Sequence, residues 1–507
     1  MICRRVLVLH LPRFHSWPAR LRLSGIVVLS LLCLLNLRHE LSLPWAGFPS
    51  TTLDPLAQQL GHPTFAAIRG YEQNLPQHIP PDLLSKRMIR PRYLFFPAAS
   101  WGLGWNNVFQ EQLLNTHLAY LSERAYVFPD YTPWDHPPFP DTLENGTRHM
   151  LHIPMNAFVS GPTGGGPLSS DGKNDSLMRR AVSEQWWDMV CPQRDVVVVK
   201  LHDTMRQMKL DGMSEGADIL TNWTDKLLKM SAPCVSIEGG SVFDYMLFGS
   251  ERMLSVWPSY GDSPTLKHFA WSPMITAALF RNFHLLSPHD PPRFLSPTGV
   301  LPYNFQSFLP YHSSEAPIAG LLGIHVRRGD YEGHCVLLAD SGAEYNAWNR
   351  LGTPNITSQI FTPPGYLWPA LPDYLDVPEG KSRRDAAMKH CWPSPDAIVA
   401  RAHAVREARR AGLSPPRQDL RKIYISTNGN PAWVGSLAAL LQADGWDFAS
   451  SLDMELSFEE RAVAQAVDMS VLAAAESFIG VGFSSLTSNV VQIRLAAGRD
   501  PHTIHFW

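Results

Sequence analysis

Three patterns are missing from this chain of 507 residues, and each absence closes a route. No D-x-D occurs, so the common carboxylate–metal–diphosphate arrangement has no obvious ligands. No G-x-x-x-x-G-K-[ST] loop occurs, so a P-loop is excluded. No C-x-x-C pair occurs, which argues against a zinc site. Charge of one sign is also missing. Lys and Arg number 43 against 46 Asp and Glu, for a net charge of −3. Nothing in that balance suggests a nucleic acid or other polyanion as partner, so any phosphate binding must be local.

Hydrophobic residues make up 45% of the chain, enough for two core-forming domains at this length. Arg4, Arg5, Arg13, Arg20 and Arg22 precede an apolar stretch at residues 23–37. That stretch is short for a thick plasma membrane and suits a signal-peptide core or a signal anchor in a thinner one. Arg38, His39 and Glu40 follow it instead of a small-x-small cleavage site, which favours the anchor. Basic residues upstream keep the N-terminus cytosolic and send the remainder into a lumen. The expectation is a type II single-pass protein of the Golgi or endoplasmic reticulum membrane. Its parts are a tail (1–22), an anchor (23–37), a Pro-dotted stem (38–90) and a luminal body.

Sequons at Asn145, Asn174, Asn222 and Asn355 fit that placement. Cys3 and Cys33 fall in the tail and anchor. Cys191, Cys234, Cys335 and Cys391 remain, an even number in an oxidising compartment. Four cysteines allow three connectivities, of which pairing in chain order, 191 with 234 and 335 with 391, is expected.

Along the body, residues 92–96 read as a strand, 106–123 as a helix and 125–128 as a second strand. Residues 195–200 read as another buried strand, 129–180 as irregular, and the Pro-rich 285–318 as a link between domains. Residues 319–326 form an apolar strand followed by a long insertion. Ser394 and Pro395 open a helix that Gly412 closes. Further strands are expected at 422–426, 446–449, 477–480 and 502–507. Helices are expected at 431–443, from the Ser457/Glu460 capping box to about 475, and at 485–497. Alternating strands and helices imply α/β domains with parallel sheets covered on both faces. Two such blocks, 91–300 and 319–507, suggest two Rossmann-like domains facing a cleft.

Three constellations could carry chemistry. The run Gly-Ile-His-Val-Arg-Arg-Gly-Asp at 323–330 ends the strand at 319–326. His325 and Arg327 project to one side of an extended backbone and Arg328 to the other, while Gly329 lets the chain turn. Guanidinium forks at a strand mouth suit an anion, phosphate above all. Its Arg-Gly-Asp tripeptide is read as chance, not as an adhesion signal, because it follows a buried strand. The turn Gly-Leu-Gly-Trp-Asn-Asn at 102–107 joins a strand to a helix, where glycine permits close approach and a helix N-terminus attracts anions. The segment 480–489 does the same, with Ser484 and Ser485 able to cap the helix or to offer donors to a diphosphate. Asp468 reads first as a solvated face residue, and alternatively as a partner for a base edge or sugar hydroxyl. Without an obvious metal, charge compensation would fall to Arg327, His325 and backbone donors.

Together, in this order, these motifs resemble the GDP-fucose-dependent fucosyltransferases, especially the protein O-fucosyltransferase-like group. The similarity covers about residues 92–130 and 319–507. It rests on Tyr93, Leu94, Phe95 and Phe96 with the 102–106 turn, on the 325–330 run, and on Val467, Asp468 and Met469 with 477–485. The resemblance implies a GT-B fold and metal-independent, inverting transfer of fucose from GDP-fucose to a glycan or glycoprotein acceptor, without a cofactor. It places Gly104 and Asn106 near the sugar diphosphate, with Asn106 and Arg327 as catalytic residues. His325 and Arg327 would hold the nucleotide, Arg327 at the β-phosphate. Asp468 would contact the nucleoside end, and Ser484, Ser485 and the Leu486 backbone would grip the phosphates. Some members of that group carry a glutamate in the Gly-rich loop as general base. This chain has Leu103 there, so the base lies elsewhere, with Asp330 and Glu332 as candidates, or the reaction needs little base help. Another GDP-sugar donor such as GDP-mannose, or a catalytically silent binding protein, are the alternatives.

Overall fold

Short strands rich in Val, Ile, Leu and aromatic residues, each followed by a helix, build two parallel sheets. The computed structural model describes residues 63–507 apart from 87–89, 98–102, 134–140, 143–147, 150–151, 170–175, 288–310, 313–315, 352–382 and 412–418. The expected tail, anchor, most of the 285–318 link, and Asn145, Asn174 and Asn355 lie outside the described residues. Within them, no helix is long and apolar enough to cross a membrane.

The first sheet contains β1 (Tyr93–Phe95), β2 (Ala125–Phe128), β3 (Val182–Ser183), β4 (Val196–Lys200) and β5 (Cys234–Glu238), in spatial order 3-2-1-5-4. The second contains β6 (Ile318–His325), β7 (Lys422–Ser426), β8 (Asp447–Ser450), β9 (Ala475–Gly480) and β10 (Ile504–Phe506), in order 8-7-6-9-10. Every pairing within these two sheets is parallel. The arrangement is consistent with two Rossmann-like domains of a GT-B-like fold. Central strands are apolar along their length, as strands covered on both faces must be: Leu94, Leu321, Leu322 and Ile324 are fully buried.

The helices used below are α1 (Phe65–Gln73), α2 (Trp105–Leu121), α3 (Gly216–Lys229), α4 (Pro273–Arg281), α5 (Tyr331–Asp340), α6 (Arg383–Cys391), α7 (Pro395–Ala411), α8 (Pro431–Ala443), α9 (Phe458–Ala462), α10 (Ala464–Ala474) and α11 (Ser485–Ala496). Helices α3, α4, α5 and α6 and strand β5 had no counterpart in the sequence reading. Disulfides join Cys191 to Cys234 and Cys335 to Cys391. The first ties β5 to the end of a short helix, and the second ties α5 to α6.

Four expectations change. The stretch 38–90 is not stem throughout: Thr64 caps α1, whose Ile68 is wholly buried in the body. Strand β4 is an edge strand, and Val197 and Val198 are 41% and 44% exposed because nothing pairs beyond it. The helix expected from 457 to 475 breaks at Val463 (φ −111°, ψ 16°) into α9 and α10, although the Ser457/Glu460 capping box forms as read. The stretch 129–180 is not irregular throughout: Asp141–Thr142 pairs antiparallel with Arg148–His149, and Met155–Phe158 forms a short helix.

Each sheet is braced by a fully buried arginine that collects carbonyls at a helix C-terminus, where they have no intrahelical partner. Arg124 donates to Leu227, Met230 and Ala232 oxygens at the end of α3. Arg494 donates to Leu472, Ala473 and Ala475 oxygens at the end of α10, and to Thr503 Oγ1 at 2.8 Å. Hydrogen bonds to a charged donor contribute about 1.5–3 kcal/mol. Arg494→Leu should therefore lower the unfolding free energy by at least that much, read as a shifted denaturant midpoint at unchanged m-value.

Candidate functional site

Ligands of open α/β sheets bind outside the carboxyl ends of the strands. There, between the two sheets, lies a cavity of about 330 Å³. Gly104, Asn106, His325, Arg327, Asp468, Ser484, Ser485 and Leu486 all line it, so the structure brings together residues from three separate motifs.

Strand β6 delivers His325 and Arg327. His325 is buried, and its Nδ1 lies 2.9 Å from Thr487 Oγ1 of α11. Gly480 permits this approach, because a Cβ there would meet Thr487 Cγ2 at 2.3 Å. Burial, reinforced by the Arg327 charge, lowers the His325 pKa to about 3. The imidazole is therefore neutral and adds no cation to the cavity. Arg327 is half-exposed, 3.6 Å from Asp330 Oδ2, with its guanidinium 4.6 Å from the Tyr331 ring centre. Among the described lining residues it is the only Arg or Lys.

Arg328 points away, as strand alternation requires. It is buried between the rings of Trp392 and Trp433, at 4.2 and 4.5 Å, and donates to the Pro393 carbonyl. Its backbone N–H donates to Asn428 Oδ1 at 2.6 Å. Gly329 then turns the chain at φ +65°.

The N-termini of α2 and α11 converge on the cavity. Gly104 caps α2, and a Cβ added there would meet nothing within 4 Å, so this glycine keeps space open and relieves no clash. Ser484 caps α11 by accepting the Leu486 N–H at 3.2 Å, so one of the expected phosphate donors is engaged by the cap. In α2 the Asn107 N–H donates to the Gly104 carbonyl at 2.9 Å, and the amides before it have no intrahelical acceptor. Gly482 serves packing: its Cβ would lie 2.4 Å from the Tyr345 ring.

Asn106 is more enclosed than a loop residue. Its Nδ2 donates to Gln465 Oε1 at 2.8 Å, and its carbonyl accepts from Asn489 Nδ2 at 2.9 Å. This starts a buried amide seam between α2 and α11. Gln492 Nε2 donates to Asn489 Oδ1 at 2.7 Å, Tyr260 Oη to Gln492 Oε1 at 3.0 Å, and Gln110 Nε2 to Ser488 Oγ at 2.8 Å.

Asp468 is not the solvated face residue expected first. It accepts from Tyr424 Oη (2.5 Å), Ser426 Oγ (2.8 Å) and Ser451 Oγ (2.8 Å) at the cavity floor. Burial raises its pKa above the ordinary carboxylate value, against the opposing pull of the three hydroxyls. An ionised carboxylate offers about four acceptor sites, which leaves capacity for a ligand N–H.

The lining also includes Ser426, Thr427, Asn428, Ser451 and Gln465, which sequence reasoning missed. The first four directly follow or end β7 and β8, and polar residues at parallel strand ends were the available signal. Among the described residues, no group of three or more His, Cys, Asp or Glu could hold a metal. A second chamber of about 710 Å³ adjoins the first and shares Gly104, Arg327 and Gln465 with it. Asn222, the one described sequon, is exposed on α3.

No family model matches the chain, and no curated protein matches it. Among solved structures it is similar to POFUT1 in complex with GDP-fucose, at 12% identity and a TM-score of 0.47, over 82% of this chain and 98% of that one. It is similar to the GDP complex of POFUT1 with the same values. It is also similar to a mutant of Arabidopsis thaliana FUT1 in complex with GDP, at 10% identity and a TM-score of 0.28, over 85% and 76% of the two chains.

The two arginines should separate in unfolding experiments. A cation–π contact contributes about 0.5–1 kcal/mol at an exposed site and about 2 kcal/mol when desolvated, so Arg328→Ala, which loses two buried contacts, should cost at least about 2 kcal/mol, whereas Arg327→Ala, which loses one half-exposed contact, should cost about 1 kcal/mol or less.

His325 also makes the fold acid-sensitive. Its folded pKa of about 3 lies below the unfolded value of 6.5, so its contribution is complete above 6.5 and is lost as pH falls towards 3. His325→Gln should flatten stability against pH across that window.

Proposed function

We propose that the chain is a glycosyltransferase that moves fucose from GDP-fucose to a glycan or protein hydroxyl in the secretory pathway, with inversion and without a metal. The observation that carries this reading is the convergence of three motifs, each resembling a donor-binding segment of the fucosyltransferases, on one cavity with a single guanidinium. Arg327 meets the charge that develops on the leaving diphosphate, and α11 presents its N-terminal dipole to the same group. Asp468, held by three hydroxyls, receives the N–H edge of the base. His325 is a neutral hydrogen-bonding partner, not a second cation. Asn106 positions the cavity wall through Gln465 and Asn489, and it retains one amide N–H for the sugar diphosphate. The adjoining chamber admits the acceptor, so the hydroxyl and the leaving group occupy different spaces around Arg327. The body works in the lumen, held at the membrane by the 23–37 segment.

Calorimetry with purified luminal protein tests the donor. GDP-fucose should bind more tightly than GDP-mannose, and Arg327→Ala should weaken it about 10- to 100-fold, the worth of a charge-assisted contact. No binding at millimolar GDP-fucose removes the reading. Preference for GDP-mannose would select a different donor. Binding without turnover would select the silent protein that Leu103 leaves open.

A further inference from the structure

We propose that His334 is the general base that takes the proton of the acceptor hydroxyl. The proposal rests on the donor reading above and adds the group that the Gly-rich turn lacks, since Leu103 offers nothing ionisable there. The lining of the 710 Å³ chamber contains one carboxylate and one imidazole, Asp330 and His334. Asp330 lies 3.6 Å from the Arg327 guanidinium and is 75% exposed, so its charge is already compensated. Glu332 lies outside both linings. The Tyr331 phenol is unsuited, since burial lifts its pKa to about 12.

His334 is exposed at the edge of the chamber, and its ring is oriented by one aromatic contact. Its ring lies 5.1 Å from that of Tyr331, which lies beneath Arg327 at 4.6 Å. Arg327, Tyr331 and His334 therefore form a ladder at the start of α5, running from the donor cavity into the chamber. Tyr331 is buried, and the neighbouring Cys335 is bonded to Cys391 of α6, so the first turn of α5 is fixed on two sides. The charged groups acting on His334 are Arg327 and Asp330. Arg461 lines the chamber beyond, with the Tyr131 phenol. Helix α6, packed against α5, carries Arg384, Asp385, Lys389 and His390. Arg384 pairs with Asp340, and His390 Nδ1 contacts the Trp507 carbonyl. Burial first, then the Arg327 charge, holds the His334 imidazolium below its ordinary pKa, with Asp330 opposing. The ring is thus free to accept a proton at luminal pH.

In the step, the acceptor oxygen bonds to the anomeric carbon as its proton passes to a ring nitrogen of His334. The bond from that carbon to the β-phosphate oxygen breaks, and its electron pair leaves with GDP, beside Arg327. The imidazolium then returns its proton to solvent.

The test uses the luminal body with its disulfides, GDP-fucose and water as the simplest acceptor, from pH 4.5 to 8. Wild type should release GDP at a rate that falls on the acid side with a midpoint below 6.5. His334→Gln should lose that acid limb and about 10²-fold in rate, while its Kd for GDP stays within about twofold of wild type. Added imidazole should partly restore His334→Ala, an effect that a merely structural role would not give. A His334→Gln enzyme with the wild-type rate, or with the acid limb intact, overturns the proposal and leaves the donor reading standing. GDP-fucose turnover absent from a wild type that binds GDP overturns it too. Failure of wild type to bind GDP removes both.

Discussion

The structure depends on a row of buried amides. Asn106, Gln110, Asn489 and Gln492 project from α2 and α11 into the space where the two sheets meet, and all are buried. An amide in a low-dielectric setting must be paired, and pairing fixes both distance and direction. Asn489 reaches the Asn106 carbonyl, Gln492 turns to Asn489, and Tyr260 anchors Gln492. An apolar seam would permit sliding, whereas this one specifies a register. Because each helix starts at the carboxyl end of a strand in its own sheet, fixing the helices fixes the relation of the strand ends. The cavity follows from that, and so does the meeting of Gly104, Arg327 and Ser484.

Electrostatics within the cavity is sparse. One guanidinium, two helix N-termini and one hydroxyl-bound carboxylate face it, with a neutral imidazole at the wall. Such a site favours a ligand with a compact negative group and a separate N–H edge. The charge that Arg328 could have added is used in packing between Trp392 and Trp433. Two adjacent arginines of the same strand end thus take opposite places, one left partly in solvent at the cavity wall and one desolvated between Trp392 and Trp433.

Much of this was legible in the chain because parallel strands are apolar throughout and helix starts carry side-chain signatures. Strands β6, β7 and β9 and helices α7, α8 and α11 were readable for that reason. The division between Arg327 and Arg328 followed from alternation alone. Other features are tertiary and leave no local mark. Val197 and Val198 look like core residues, and only the place of β4 at the sheet edge exposes them. The seam amides look like surface polar residues until two helices are brought together. Asp468 reads as a solvated acid until Tyr424, Ser426 and Ser451 arrive from neighbouring strands. The break at Val463 likewise leaves no local mark, because Ala and Val around it are compatible with a helix, and α4 packs against α10 just beyond it.

The central claim is that the seam pre-forms a diphosphate site around Arg327. A crystal structure of the luminal body with GDP tests it most directly. The account predicts the β-phosphate within hydrogen-bond distance of the Arg327 guanidinium and the first turn of α11, the guanine edge at Asp468, and the amide seam unchanged. GDP bound elsewhere, or bound only after the seam has come apart, would contradict it.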